Sequence, residues 1–171
     1  MIGTGTRYAL ASVVAAAFML APATWAPAAD AAAGASLSIS GRVQHPQSLS
    51  LADLQKLPPT NVQVSFVTGH GTEAGTFTGV LLWTLLGGAG LIDEAGKNAR
   101  LRHTIVVTGR DGYAVALSLG EIDPDFEGKP AILAYAKDGI PLDASDGIRL
   151  IVPNDKHGGR AVKDVAGIEV R

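Results

Sequence analysis

Apolar and polar positions alternate along LSISGRVQ (37–44) and again along NVQVSFVT (61–68), as half-buried strands require. The second run sets Val62, Val64 and Phe66 on one face. Between them, SLSLADLQKL (48–57) carries Leu51, Leu54 and Leu57 three apart, and Ser50 with Asp53 has capping-box spacing. That pattern predicts a short helix, stopped by Pro58-Pro59. The glycine-rich stretch from Gly69 to Gly75 predicts a loop, and GVLLWTLLGGAG (79–90) a short apolar helix ended by Gly87-Gly88. HTIVVTG (103–109) is β-branched and apolar, which suits a central strand. GRDG (109–112) is a turn signal, and YAVALSL (113–119) is the other arm of a hairpin. Ser118 in this arm reads as a strand end or a helix cap, and Glu121 to Gly128 as a loop or a single helical turn. AILAYA (131–136) and IRLIVP (148–153) are two further strands, joined through KDGIPLDASDG (137–147). After the polar loop NDKHGGR (154–160), AVKDVAGIEV (161–170) ends as a strand. The order of elements predicts an α+β domain, β-dominated, with a mixed sheet and few short helices.

Composition adds limits to this picture. With 171 residues, 47% hydrophobic and 18% charged, the chain can bury one proper core. A net charge of -2 excludes the strongly basic balance of a nucleic-acid binder. Aromatics are 5%, so the core is built mainly from Val, Leu, Ile and Ala. There are no cysteines, which removes disulfides, thiolate metal ligands and cysteine nucleophiles together.

The first 28 residues read as a secretory signal peptide: Arg7, an apolar run from Tyr8 to Ala21, then Ala26-Pro27-Ala28 as an A-x-A cleavage pattern, with Ala31-Ala32-Ala33 as a second cleavage site. Pro22 and Pro27 interrupt the apolar stretch, which is short for a membrane span. No Arg-Arg pair precedes it, so the signal is of the general secretory type and the expected location is periplasmic or secreted. Residues 29–36 form an Ala/Gly/Ser linker, and 37–171 form the domain. No later segment has the roughly 20 apolar residues of a membrane helix.

Local motifs carry little chemistry. Gly69-His70-Gly71-Thr72-Glu73-Ala74-Gly75 has G-x-G-x-x-x-G spacing, one residue from the dinucleotide fingerprint, and no Gly-Lys-Ser/Thr makes a Walker loop. His45, His70, His103 and His157 form no close pair for a metal. There is no G-x-S-x-G elbow. Lys156, His157, Arg160 and Lys163 surround Gly158-Gly159, and such a loop offers the cations and free amides of an anion site. It reads equally as a solvated loop, with Asp155 and Asp164 near enough to neutralise it.

Five blocks in order, FTGVLLWTLLGGAG (77–90), DGYAVALSL (111–119), AILAYAKDGIPL (131–142), GIRLIVP (147–153) and GRAVKDVAGIEV (159–170), together resemble the oxidoreductase molybdopterin-binding domain, the fold of sulfite oxidase and its bacterial relatives. The resemblance implies a mixed-sheet, sulfite oxidase-like fold over residues 37–171, with molybdopterin as the cofactor of its enzymes. In those enzymes a cysteine in the loop before F-x-G-V binds molybdenum, and here Val67-Thr68-Gly69-His70 stands in that place. Lys163 matches the family's Val-Lys pair, while Asp164 stands where the enzymes often have Trp. The enzymes are also longer, and their exported members fold around the cofactor before using the twin-arginine route.

These readings converge on an exported protein without a molybdenum-ligating cysteine. The expectation is a non-catalytic cleft for a small anionic or pterin-like ligand or a redox protein partner, with no metal. Its expected contacts are His70, Thr72, Arg110, Tyr113, Lys156, His157, Arg160 and Lys163. The alternative is a molybdopterin-dependent oxidoreductase with a non-cysteine metal environment, with His70 as the metal's neighbour and Arg110, Arg160 and Lys163 on the phosphate.

Overall fold

The structure, a computed structural model, describes Met1 and residues 36–171. The expected signal peptide and almost all of the linker lie outside these described residues. Ten strands form two mixed or antiparallel sheets. The first sheet has the order β2-β1-β10-β5-β6, from β1 (Leu37–Gly41), β2 (Gln47–Leu49), β5 (Thr104–Gly109), β6 (Ala114–Ser118) and β10 (Val165–Val170). Its one parallel pair is β1 with β10. The second sheet runs β3 (Thr60–Thr68), β4 (Gly71–Leu81), β7 (Ile132–Lys137) and β8 (Ile140–Pro141), with β9 (Arg149–Ile151) also paired to β7.

Among the described residues, three short α-helices join them: α1 (Leu51–Leu54), α2 (Leu82–Ala89) and α3 (Leu119–Ile122). The Ser50–Asp53 capping box at α1 forms as its spacing requires: the Ser50 hydroxyl takes the Asp53 amide, and the Asp53 carboxylate takes the Ser50 amide. Ser118 ends β6 and caps α3 by the same device, with Glu121 returning the bond. α2 departs from expectation at its end. Gly87 and Gly88 lie inside it, and Gly90, at φ 70, closes it by donating to the Leu86 and Gly87 carbonyls.

The larger departure is at Gly69–Gly75. These glycines do not make a long loop before a helix. Thr68 pairs with Gly71, so Gly69 and His70 alone form the turn of a long hairpin, and β4 begins at Gly71. Two-residue turns favour glycine, and the later glycine, Gly75, has a packing reason set out below.

The first half of β7 and all of β9 are buried on both faces, which explains their largely apolar sequences. Leu133 and Leu150 face the first sheet and join Ile105, Val107, Leu117 and Ile168 in the larger core. Ile132, Ala134 and Ile151 face the other way, onto Val62, Val64, Phe66 and Phe77. Each such buried side chain contributes about 1.5–3 kcal/mol through area removed from water. This second, smaller core forms the floor beneath the site.

Candidate functional site

Arg149 sits in β9 on the same face as Ile151 and is only 3% exposed. A charge buried this deeply needs a partner, because desolvation costs several kcal/mol. The partner is Glu73 on β4. Arg149 Nη1 and Nη2 donate to Glu73 Oε1 and Oε2, each at 2.8 Å, in a bidentate fork. Lys137 Nζ, from β7, adds a third bond to Glu73 Oε1 at 3.2 Å. The guanidinium carbon lies 5.8 Å and 5.5 Å from the ring centroids of Phe66 and Phe77. Lys137 Nζ lies 5.3 Å from the Phe77 ring.

Gly75 makes this geometry possible. A Cβ there would lie 2.7 Å from Lys137 Cε and 2.8 Å from Asp138 Oδ2, so a larger residue would close the path Lys137 takes to Glu73. The bonds from Arg149 lower the Glu73 carboxyl to about 2 from an ordinary 4.5, outweighing burial, with Lys137 adding to the effect.

Above this network lies a cleft of about 570 Å3. Its walls include His70 and Thr72 at the hairpin tip, Tyr113 and Asp111 from the β5–β6 turn, and Lys163 before β10. The Tyr113 hydroxyl donates to the Gly159 carbonyl at 2.6 Å, tying the β5–β6 turn to the glycine loop. Lys163 pairs with Asp146 at 2.6 Å, but its side chain is 57% exposed.

The structure brings together His70, Thr72, Tyr113 and Lys163 in this cleft and places the other expected contacts elsewhere. Arg110 lines a separate pocket of about 500 Å3 with Leu51, Tyr135 and Ile148. There it bonds Asp164 at 3.3 Å and the Ser36 carbonyl at 3.2 Å. Lys156 and His157 are exposed beside the hairpin tip, where the Lys156 carbonyl accepts from the Val67 amide and His157 bridges to Val67.

Arg160 is held on both sides. Its Nε and Nη2 donate to Asp155 at 2.9 and 2.6 Å, and Nη1 donates to Glu121 at 2.9 Å. Those bonds, Asp155's first, hold the guanidinium still more firmly charged than usual, against the opposing effect of burial. Arg160→Ala is therefore expected to destabilise the fold by about 1–3 kcal/mol, because two partly buried carboxylates lose their donor. Urea unfolding checks this, and the cleft's affinity for ligand should change little.

Glu73, Lys137 and Arg149 were not expected from sequence. The available signal was Arg149 itself, a lone charge within the apolar run Ile148–Val152.

A molybdenum–thiolate centre does not fit the residues at the hairpin tip. Thr68 Oγ1 is spent on the turn, donating to the Gly71 carbonyl at 2.8 Å and accepting from the His70 amide at 3.1 Å. A threonine hydroxyl in any case lacks the soft donor that molybdenum takes from cysteine. Among the described residues, no three His, Cys, Asp or Glu side chains are grouped to share a metal.

Comparison with known proteins agrees with the architecture. The model of the oxidoreductase molybdopterin binding domain matches residues 23–171. No curated protein matches the sequence significantly. Among solved structures, the sulfane dehydrogenase SoxCD from Paracoccus pantotrophus aligns with a TM-score of 0.67 at 20% identity, covering 80% of this chain. The chain spans only 38% of the length of that SoxCD chain, so the likeness carries the fold alone. With the two sheets, the five ordered motifs and a family match over most of its length, the chain belongs to the oxidoreductase molybdopterin binding domain family, as a member without cysteine.

Proposed function

We propose that the protein is an exported, non-catalytic binding member of its family, whose hairpin-tip cleft takes a small anionic or pterin-like ligand. The observation that carries this reading is the charge lining of the cleft. Lys137, Arg149 and Lys163 line a space of about 570 Å3 together with Glu73 and Asp111, and Asp146 pairs with Lys163 beside it. That volume is in the usual range for small-molecule sites, about 300–1,000 Å3. Glu73 neutralises much of Arg149 and Lys137, and Lys163, although paired with Asp146, is the most exposed of the three cations. His70, Thr72 and the Tyr113 hydroxyl supply hydrogen-bonding groups around it. The N-terminal segment supports export of an unfolded chain, and the lack of a thiolate supports a role without molybdenum.

The rival, a molybdopterin-dependent oxidoreductase, has the family and fold in its favour but no donor set at the tip. Titration calorimetry with inorganic phosphate and with a soluble pterin tests the binding reading. Lys163→Ala should weaken binding about tenfold or more, about 1.4 kcal/mol, and His70→Ala should weaken it less. Both variants should keep the wild-type melting temperature, since exposed ion pairs contribute about 0–1 kcal/mol. Unchanged affinity in both would overturn the assignment.

A further inference from the structure

β3 is the outer strand of the second sheet, and the rest of the sheet lies on its β4 side. Exposed edges invite pairing with other chains, and proteins usually blunt them with charge, proline, bulges or shortness. The other outer strands are short: β2 and β9 have 3 residues each, β6 has 5 and β8 has 2. β3 has 9, and its register against β4 runs unshifted from Thr60–Gly79 to Thr68–Gly71. From Thr60 to Thr72 the sequence contains no Asp, Glu, Lys, Arg or Pro.

The orientation of the backbone follows from the hairpin. Thr68 and Gly71 flank a two-residue turn, so the even positions of β3 bond to β4 and the odd positions point outward. The Val67 amide fits this: it donates outward to the Lys156 carbonyl at 3.0 Å. Asn61, Gln63 and Ser65 share that direction, are exposed, and have no outward backbone partner among the described residues. The open window is bounded at both ends. Pro59 has no N–H to offer, and Val67 is taken by Lys156.

We propose that this window pairs with its own copy, making a two-fold homodimer through antiparallel β3–β3 contact centred on Gln63. Two-fold pairing sets Gln63 opposite Gln63 and Asn61 opposite Ser65. A charged side chain at position 63 would face its own copy's like charge, and all three residues are instead neutral and hydrogen-bonding. The pairing would form about six backbone hydrogen bonds across the window and join the two copies' second sheets. It would also carry the apolar row Val62, Val64 and Phe66 across the interface as one continuous face. A second copy suits the edge better than an extended peptide of another protein, because the window's two bounds and its neutral centre are self-matching.

Sedimentation velocity on the purified protein over a concentration series tests this. Wild type is expected to pass from monomer to dimer as concentration rises. Gln63→Pro removes one outward N–H that β4 does not use, so the monomer should stay folded while dimer dissociation rises about tenfold or more. Gln63→Lys places two like charges face to face, and its dimer should be weak at low salt and partly restored at high salt. Circular dichroism confirms that both variants fold. A wild type that stays monomeric at every concentration, or a dimer that neither substitution weakens, would overturn the proposal.

Discussion

Glu73→Ala is expected to lower stability by about 3–5 kcal/mol in urea unfolding, the largest effect of any single substitution in the cleft. The reason is the position of Arg149. Arg149 is 3% exposed, with its guanidinium carbon 5.8 Å and 5.5 Å from the Phe66 and Phe77 ring centroids, and removing Glu73 takes away its bidentate partner. Lys137 then adds a second cation, and the carboxylate left near Arg149 is Asp146, at 3.8 Å from Nη1 and itself shared with Lys163. Replacing Glu73 by Leu and Arg149 by Met together should recover most of the loss, because the desolvation cost leaves with the charges.

The same pair shapes the acid limb of stability. In the folded chain the bonds from Arg149 hold Glu73 at about 2, below the ordinary 4.5, despite the opposing push of burial. A folded value below the unfolded one means that the contribution is fully present above about pH 4.5 and is lost as pH falls toward about 2. Unfolding free energy measured across that window should fall steeply in wild type and more gently in Glu73→Ala. Parallel slopes would show that Arg149 does not hold the carboxylate in this way.

Gly79→Ala is expected to cost about 3 kcal/mol and to lower the yield of folded protein. Gly79 is the glycine of the F-x-G-V block, near the end of β4 where the pairing with β7 shifts register. A Cβ there would run into the Leu133 carbonyl oxygen and come within 2.6 Å of Ala134 Cα. These are backbone atoms of a strand that also pairs with β9, so β7 cannot move aside without loosening two ladders. The contrast is Gly87→Ala in α2, where nothing lies within 4 Å. That change should stabilise by about 0.5–1 kcal/mol, the ordinary helix penalty of glycine. If the two glycine substitutions behave alike in thermal unfolding, close strand approach is not what Gly79 provides.

Much of the fold was legible because its signals are local. Val62, Val64 and Phe66 alternate in sequence and are buried in β3, and Ser50 and Asp53 are three apart in both sequence and capping box. Gly69–Gly75 misled because glycine marks loops and close-packed strands alike. Here Gly71 and Gly75 lie within β4, and Gly75 leaves room for a lysine from β7. The site's floor was not legible at all. Glu73 and Arg149 are 76 positions apart, and only the stacking of β4, β7 and β9 makes them neighbours. Arg160 showed the opposite problem. Its charge was plain in the sequence, but its binding capacity is spent on Asp155 and Glu121. Lys163 is also paired, with Asp146, but at more than half exposed it is the more accessible of the two cations.

Cleft binding without a thiolate-held metal is tested most directly on protein purified from the cells that make it, by measuring molybdenum by mass spectrometry and pterin by fluorescence. The expected result is molybdenum far below one atom per chain, whether or not a pterin or another anion accompanies the protein. One molybdenum per chain, retained through purification and lost in His70→Ala, would contradict it and establish the oxidoreductase reading instead.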